Sequence, residues 1–194
     1  MYDDQDFALE GGGRAVLLLR DFSTPAESLR PLAEALHGKG LSVRMPALYE
    51  PGADWTAWLC AARAAFTVLR DTHVCASLCG FGSGIGSALL LAEAYSVDHL
   101  LLAPQAAARL SVSERFGLRA LERRARRSLF ALSCPAVILL PTGAETGVLR
   151  QARRLCRALG RCTLAEYPAA GLADTIAARL LSGDPEGADC AFSS

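Results

Sequence analysis

The chain has 194 residues, 52% of them hydrophobic and 21% charged, which is enough apolar material for one compact domain with a substantial core and too little length for two. Its formal net charge is zero, which argues against a general nucleic-acid binder, although basic residues crowd towards the C-terminal half and almost all are arginine. The acidic start Met1-Tyr2-Asp3-Asp4 lacks the basic flank and apolar run of a secretory signal, and no apolar stretch reaches about 18 residues without a charge. A soluble, cytoplasmic protein with no integral membrane segment is expected.

Residues 15–19 form a continuous apolar run ending at Arg20, the pattern of a strand buried on both faces of a parallel sheet. Thr24-Pro25-Ala26-Glu27 then combines an N-cap threonine, proline at the first helical position and glutamate three residues after the cap. Leu29, Leu32 and Leu36 continue it as one helical stripe that stops near Gly38 and Gly40. Residues 41–45 make a second short strand. Asp54 is placed to cap a helix in which Trp55, Trp58, Leu59, Ala62, Phe66 and Leu69 recur at helical spacing, so the two tryptophans are expected in the core.

Residues 74–79 are strand-like and stop at a glycine cluster, followed by a helix over about 83–95 and a strand over 99–102. Between 105 and 134 the chain carries Arg109, Arg115, Arg119, Arg123, Arg124, Arg126 and Arg127 and reads as one or two amphipathic helices. Residues 136–140 are again a buried strand. The helix after it turns Val148, Ala152, Leu155 and Leu159 inward and Arg150, Arg153, Arg154 and Arg157 outward. Residues 162–167 are the last strand and 173–181 the last helix, and 184–194 form a small, polar tail. Strand and helix alternate almost throughout. The expected class is α/β: a doubly wound parallel sheet with helices on both faces, in one domain over residues 1–183.

The cysteines at 60, 75, 79, 134, 156, 162 and 190 are odd in number and contain no C-x-x-C pair, so neither a disulfide framework nor a metal site is signalled. They are expected as buried thiols, with Cys75 and Cys79 two pleats apart on one face of a strand. No metal or cofactor is expected.

Ligands of a parallel sheet belong in the loops after the strand C-termini, here those after residues 19, 79, 140 and 167. Glycines at 80, 82, 84 and 86 open a helix but form no dinucleotide fingerprint, since Ile85 stands at the third glycine position, and no P-loop, since no Lys-Ser/Thr follows. With Arg20 approaching from the neighbouring strand end, they suggest an anion site for a carboxylate, acyl or phosphate ligand, lined by Arg20, Asp21, Phe22, Phe81, Gly82 and Ser83.

The stretch LEGGGRAVLLLRDFSTPAESLRPLAEALHGKGLSVRMPAL resembles the opening of bacterial carboxylesterases and monoacylglycerol lipases, where LLLHGF precedes a helix of the SLRPLAEAL type. The likeness continues through Asp54-Trp55 into SLCGFGSGIGSALLLA, which is similar to that family's strand, nucleophile elbow and helix, and it spans about residues 7–181. It implies an α/β-hydrolase fold whose short, arginine-rich segment 105–134 is the lid. Such enzymes need an elbow serine, a histidine, an acid and an oxyanion hole. The elbow pattern G-x-S-x-G here reads Gly80-Phe81-Gly82-Ser83-Gly84, which puts Gly82 at the nucleophile position and Ser83 one residue late. PTGAET puts Thr146 at the acid position with Glu145 beside it, and Pro168-Ala169-Ala170-Gly171 is followed by Leu172 where the histidine is expected. Arg20-Asp21 replaces the oxyanion-loop His-Gly pair.

The three histidines, His37, His73 and His99, are all expected on the opposite edge of the sheet. Two functions from different classes follow. One is a non-catalytic pseudo-hydrolase that binds a small ligand, or a protein partner or its own copy. The other is a weak serine esterase in which Ser83 works with Glu145 or Asp21. A purely structural subunit that depends on a partner is the third reading, and the lid arginines would suit an acidic partner or an anionic membrane surface.

Overall fold

A computed structural model describes residues 6–21, 24–47, 55–105, 119–120, 123–125, 127, 132, 134–168 and 170–182. Seven strands, β1 (Phe7–Leu9), β2 (Arg14–Leu19), β3 (Ser42–Met45), β4 (Cys75–Phe81), β5 (Leu100–Ala103), β6 (Ala136–Pro141) and β7 (Cys162–Tyr167), form one sheet in the order β1-β3-β2-β4-β5-β6-β7. Every neighbouring pair is parallel except β1 with β3. The antiparallel edge strand β1 lies outside the strands read from the sequence, because three residues carry too little alternation to stand out.

Among the described residues, the sheet is covered by α1 (Arg30–His37), α2 (Trp55–Thr72), α3 (Gly84–Ala94), α4 (Thr146–Leu159) and α5 (Leu172–Leu181). Successive strand residues point to opposite faces. Ala15, Leu17 and Leu19 therefore join the apolar cluster under α2, α3 and α4, while Val16 and Leu18 join the one under α1 and α5. Two buried faces are the reason residues 15–19 read as an unbroken apolar run. Trp58 is buried in the first cluster and Trp55 packs against it, as expected of core tryptophans. No described helix is long and apolar enough to cross a membrane.

The helix expected from Pro25 starts later. Residues Ala26–Leu29 form a 3-10 turn, and the α-helix proper begins at Arg30. Pro31 is the cause: it has no N–H to return to Glu27, so the Glu27 carbonyl takes the Arg30 N–H in the tighter geometry. Thr24 makes no side-chain cap, and the Asp54 cap lies outside the described residues.

Val74 is not in a strand either; its N–H donates to the Gly13 carbonyl at 2.9 Å and its side chain is 89% exposed. The cysteines are less uniform than expected. Cys79 and Cys134 are buried, Cys75, Cys156 and Cys162 are half-buried, Cys60 is exposed on α2, and Cys190 lies outside the described residues. Burial pushes the Cys79 and Cys134 thiols up, away from the thiolate form.

All three histidines lie at the N-terminal edge of the parallel strands. His37 ends α1 and its Nε2 lies 2.8 Å from the Glu10 carbonyl, while His73 lies two residues before β4 and His99 immediately before β5. His99 Nδ1 sits 3.4 Å from the Ser77 hydroxyl. Burial holds His99 below the usual imidazole range, with Arg14 adding to the effect and Asp98 opposing it. The unfolded chain then binds this proton at a higher pH than the folded protein does. Stability is full above about pH 6.5 and falls as the pH drops below that value. His99→Gln is expected to flatten the fall in Tm between about pH 7 and pH 5. Melts with the same slope as wild type would contradict this.

Candidate functional site

The chain runs outward from β2 to β3 and then returns to place β4 on the other side of β2. A parallel sheet opens a crevice at such a reversal, outside the carboxyl ends of the two strands concerned. Here those ends are Arg20-Asp21 after β2 and Gly82-Ser83 after β4. Leu19 is paired with Gly80, so continuing both chains two residues brings Asp21 opposite Gly82.

Gly82 and Ser83 make the strand-to-helix turn. Gly82 has φ +50°, in the left-handed region that side chains rarely adopt; its N–H donates to the Ala103 carbonyl at 3.0 Å and its carbonyl accepts from the Ile85 N–H at 3.3 Å. Gly84 opens α3 directly against the end of β2: a Cβ there would overlap the Leu19 carbonyl and stand 2.8 Å from that of Arg20. The turn thus has the sharpness of a nucleophile elbow.

Its occupant is Asp21. The backbone N–H of Ser83 donates to Asp21 Oδ2 at 2.8 Å, and a Cβ on Gly82 would overlap that same oxygen and stand 2.8 Å from Asp21 Cγ. Asp21 is 7% exposed. The carboxylate therefore fills the space into which a side chain at 82 would project and takes the N–H of the next residue. A carboxylate on a backbone N–H at the start of a helix gains from both the charged hydrogen bond and the helix dipole.

The charged group that meets Gly82 and the Ser83 N–H is Asp21, and strand alternation accounts for it. Asp21 follows Leu19 in parity, towards the face that α3 covers, whereas Arg20 follows Leu18. Buried Arg20 donates from Nη1 to the carbonyls of Thr24, at 2.6 Å, and Asp21, at 3.4 Å, within its own loop. Phe81 is buried in the cluster under α1 and α5, and Phe22 lies outside the described residues.

The remaining sequence-selected residues are dispersed. Ser83 is half-buried with right-handed helical backbone angles immediately before α3, and its side chain makes no capping bond there. Glu145 and Thr146 are exposed where the loop after β6 enters α4, two strands and roughly 10 Å from the turn. Leu172 is half-buried at the first position of α5 and packs on the second cluster. The length of β4 separates the histidine edge from Ser83 by roughly 20 Å, so no imidazole among the described residues can take a proton from its hydroxyl.

Tyr167, at the end of β7, is a half-buried phenol whose pKa is raised first by burial and then by Cys79. Of the segment 105–134, Ala125 is buried in the first cluster and Arg119, Arg123, Arg124 and Arg127 are exposed; most of the rest lies outside the described residues, as do 183–194. No group of three or more His, Cys, Asp or Glu among the described residues could hold a metal ion.

No protein-family model matches the chain, and no curated protein matches it in sequence. Solved structures do match. A metagenome-derived lipolytic enzyme superposes with a TM-score of 0.72 at 16% identity, over 92% of this chain and 96% of its own. A monoacylglycerol lipase from Paleococcus ferrophilus gives 0.70 at 14% identity, over 93% and 100%. An alpha/beta hydrolase from Sphaerobacter thermophilus gives 0.66 at 14% identity, over 94% and 98%. Near-complete coverage in both directions, with a mostly parallel seven-stranded sheet and a sharp turn after β4, establishes that this chain has the α/β-hydrolase fold.

Proposed function

We propose that the chain is a non-catalytic relative of the carboxylesterases and monoacylglycerol lipases, a pseudo-hydrolase whose fold serves as a protein-interaction module. The observation that carries this reading is the Asp21 carboxylate on the Ser83 N–H, over Gly82. In an active relative that N–H stabilises the oxyanion and the residue before it attacks the carbonyl. An oxyanion arriving here would have to displace one negative charge and stand beside it. The same occupancy weighs against a free carboxylate or phosphate ligand at this turn.

The other triad positions support the reading. Gly82, Thr146 and Leu172 carry neither nucleophile, acid nor base, and loss of a serine or histidine alone lowers turnover in a serine protease by roughly a million-fold. A weak esterase built on Ser83 would need a base, and the histidines lie at the far edge. Purified protein is expected to hydrolyse nitrophenyl butyrate no faster than a heat-denatured control. Saturable turnover abolished by Ser83→Ala would overturn the proposal.

A further inference from the structure

Basic residues in the N-terminal half of the chain mostly have partners inside the fold. Lys39 pairs with Asp174 and Arg44 with Asp6; Arg14 donates to the Leu180 carbonyl and Arg20 to that of Thr24; Arg30 lies over Phe7 and Arg70 over Tyr95. The contrast is α4. Its Arg150, Arg153, Arg154 and Arg157, with Arg161 just beyond its end, are all exposed, and none makes an ion pair among the described residues. The helix TGVLRQARRLCRAL contains no acid, so nothing along it relieves the like charges.

At 100° per residue, the four helical arginines fall within an arc of about 100° and along about 10 Å of axis. Like charges three and four residues apart weaken a helix. The opposite face of α4, through Val148, Ala152 and Leu159, is committed to the core, so the stripe cannot turn inward. Among the described residues, no acid forms an ion pair with this outward charge.

We infer that the arginine stripe of α4 is a docking surface for an acidic helical segment of a partner protein. This inference rests on the interaction-module reading above and names its surface. A helix with glutamates at i, i+3, i+4 and i+7 has the same spacing of about 5–6 Å between neighbouring side chains as the stripe, which gives charge complementarity in register. An anionic membrane fits less well, because the exposed large apolar residues among those described are Val68, Val74 and Leu181, none of them on α4 to insert. A nucleic acid also fits less well, as the whole chain has a pI near 6.8 and the stripe contains no aromatic residue.

The probe is a fluorophore-labelled, alanine-based helical peptide with glutamates at those positions, followed by anisotropy against the full chain at low and near-physiological salt. Saturable binding is expected, weakened at least about tenfold when Arg150, Arg153, Arg154 and Arg157 are all changed to glutamine, and weakened by salt. Arg44→Gln, which removes a cation already paired internally, should leave it unchanged. The quadruple variant should melt no lower than wild type, since repulsion is relieved, and a retained Tm certifies its fold. Absence of peptide binding, binding indifferent to the quadruple substitution, or tighter binding of a thymidine oligonucleotide or of phosphatidylserine vesicles would overturn the inference. Ester turnover measured on the same sample separates the two proposals: a silent peptide without turnover sinks the docking surface alone, whereas turnover with a bound peptide sinks the pseudo-hydrolase alone.

Discussion

Gly82→Ser is expected to melt roughly 10 °C below wild type and to create no esterase. The new Cβ would overlap Asp21 Oδ2, so either the turn shifts or the carboxylate leaves the Ser83 N–H. Overpacking of a well-filled site typically costs about 1–3 kcal/mol, and a hydrogen bond to a charged group is worth about 1.5–3 kcal/mol. Together they come to about 2.5–6 kcal/mol, with each kcal/mol worth about 2–4 °C in a domain of this size. Because one contact is responsible, Asp21→Gly should mask much of the damage. The double variant is expected to be more stable than the sum of the single effects by at least about 1 kcal/mol. Strict additivity in denaturant melts would show that Asp21 and Gly82 do not compete for the same space.

Asp21→Ala is expected to lose about 2–3 kcal/mol, since it leaves a backbone N–H and the start of α3 without their anion. Asn at this position keeps an acceptor without the charge and should lose about half as much. The cavity left in the alanine variant has the shape and donor of a small carboxylate site. Acetate should therefore raise its Tm relative to matched chloride, by the equivalent of about 1.4 kcal/mol at tenfold over its dissociation constant. Wild type, with its own carboxylate in place, should not respond. An equal response in both proteins would mean that the turn is not where acetate acts.

The relation between Asp21 and Gly82 was the least legible part of the site, although both residues stood out in the sequence. The G-x-x-x-G spacing and the preceding apolar run indicated the turn, and the alternation of strands and helices indicated the sheet. Which of two adjacent residues after β2 would face the turn depends on register and on the face that α3 covers. Neither is written in a run such as Leu17-Leu18-Leu19-Arg20-Asp21, where every position is buried. An arginine beside a helix N-terminus would complete an anion site; the residue whose charge meets the Ser83 N–H is Asp21.

The histidines were legible, because their place before a strand or after a helix fixes the edge on which they lie. The start of α1 differs from the expectation for a local reason: Pro25 has the chemistry of a first helical residue, but Pro31 farther on imposes the 3-10 turn between them. Exposure of Cys60 is not legible in the sequence, because cysteine is usually buried and this position on α2 falls between the stripes of the apolar pattern.

The most direct test is the intact mass of the native protein after incubation with excess fluorophosphonate, which reacts only with an activated serine. The expected spectrum is that of the unmodified chain, with no adduct that unfolding the protein beforehand would prevent. A stoichiometric adduct mapping to Ser83, lost in Ser83→Ala, would reveal a working nucleophile and contradict the assignment of this turn to Asp21 alone.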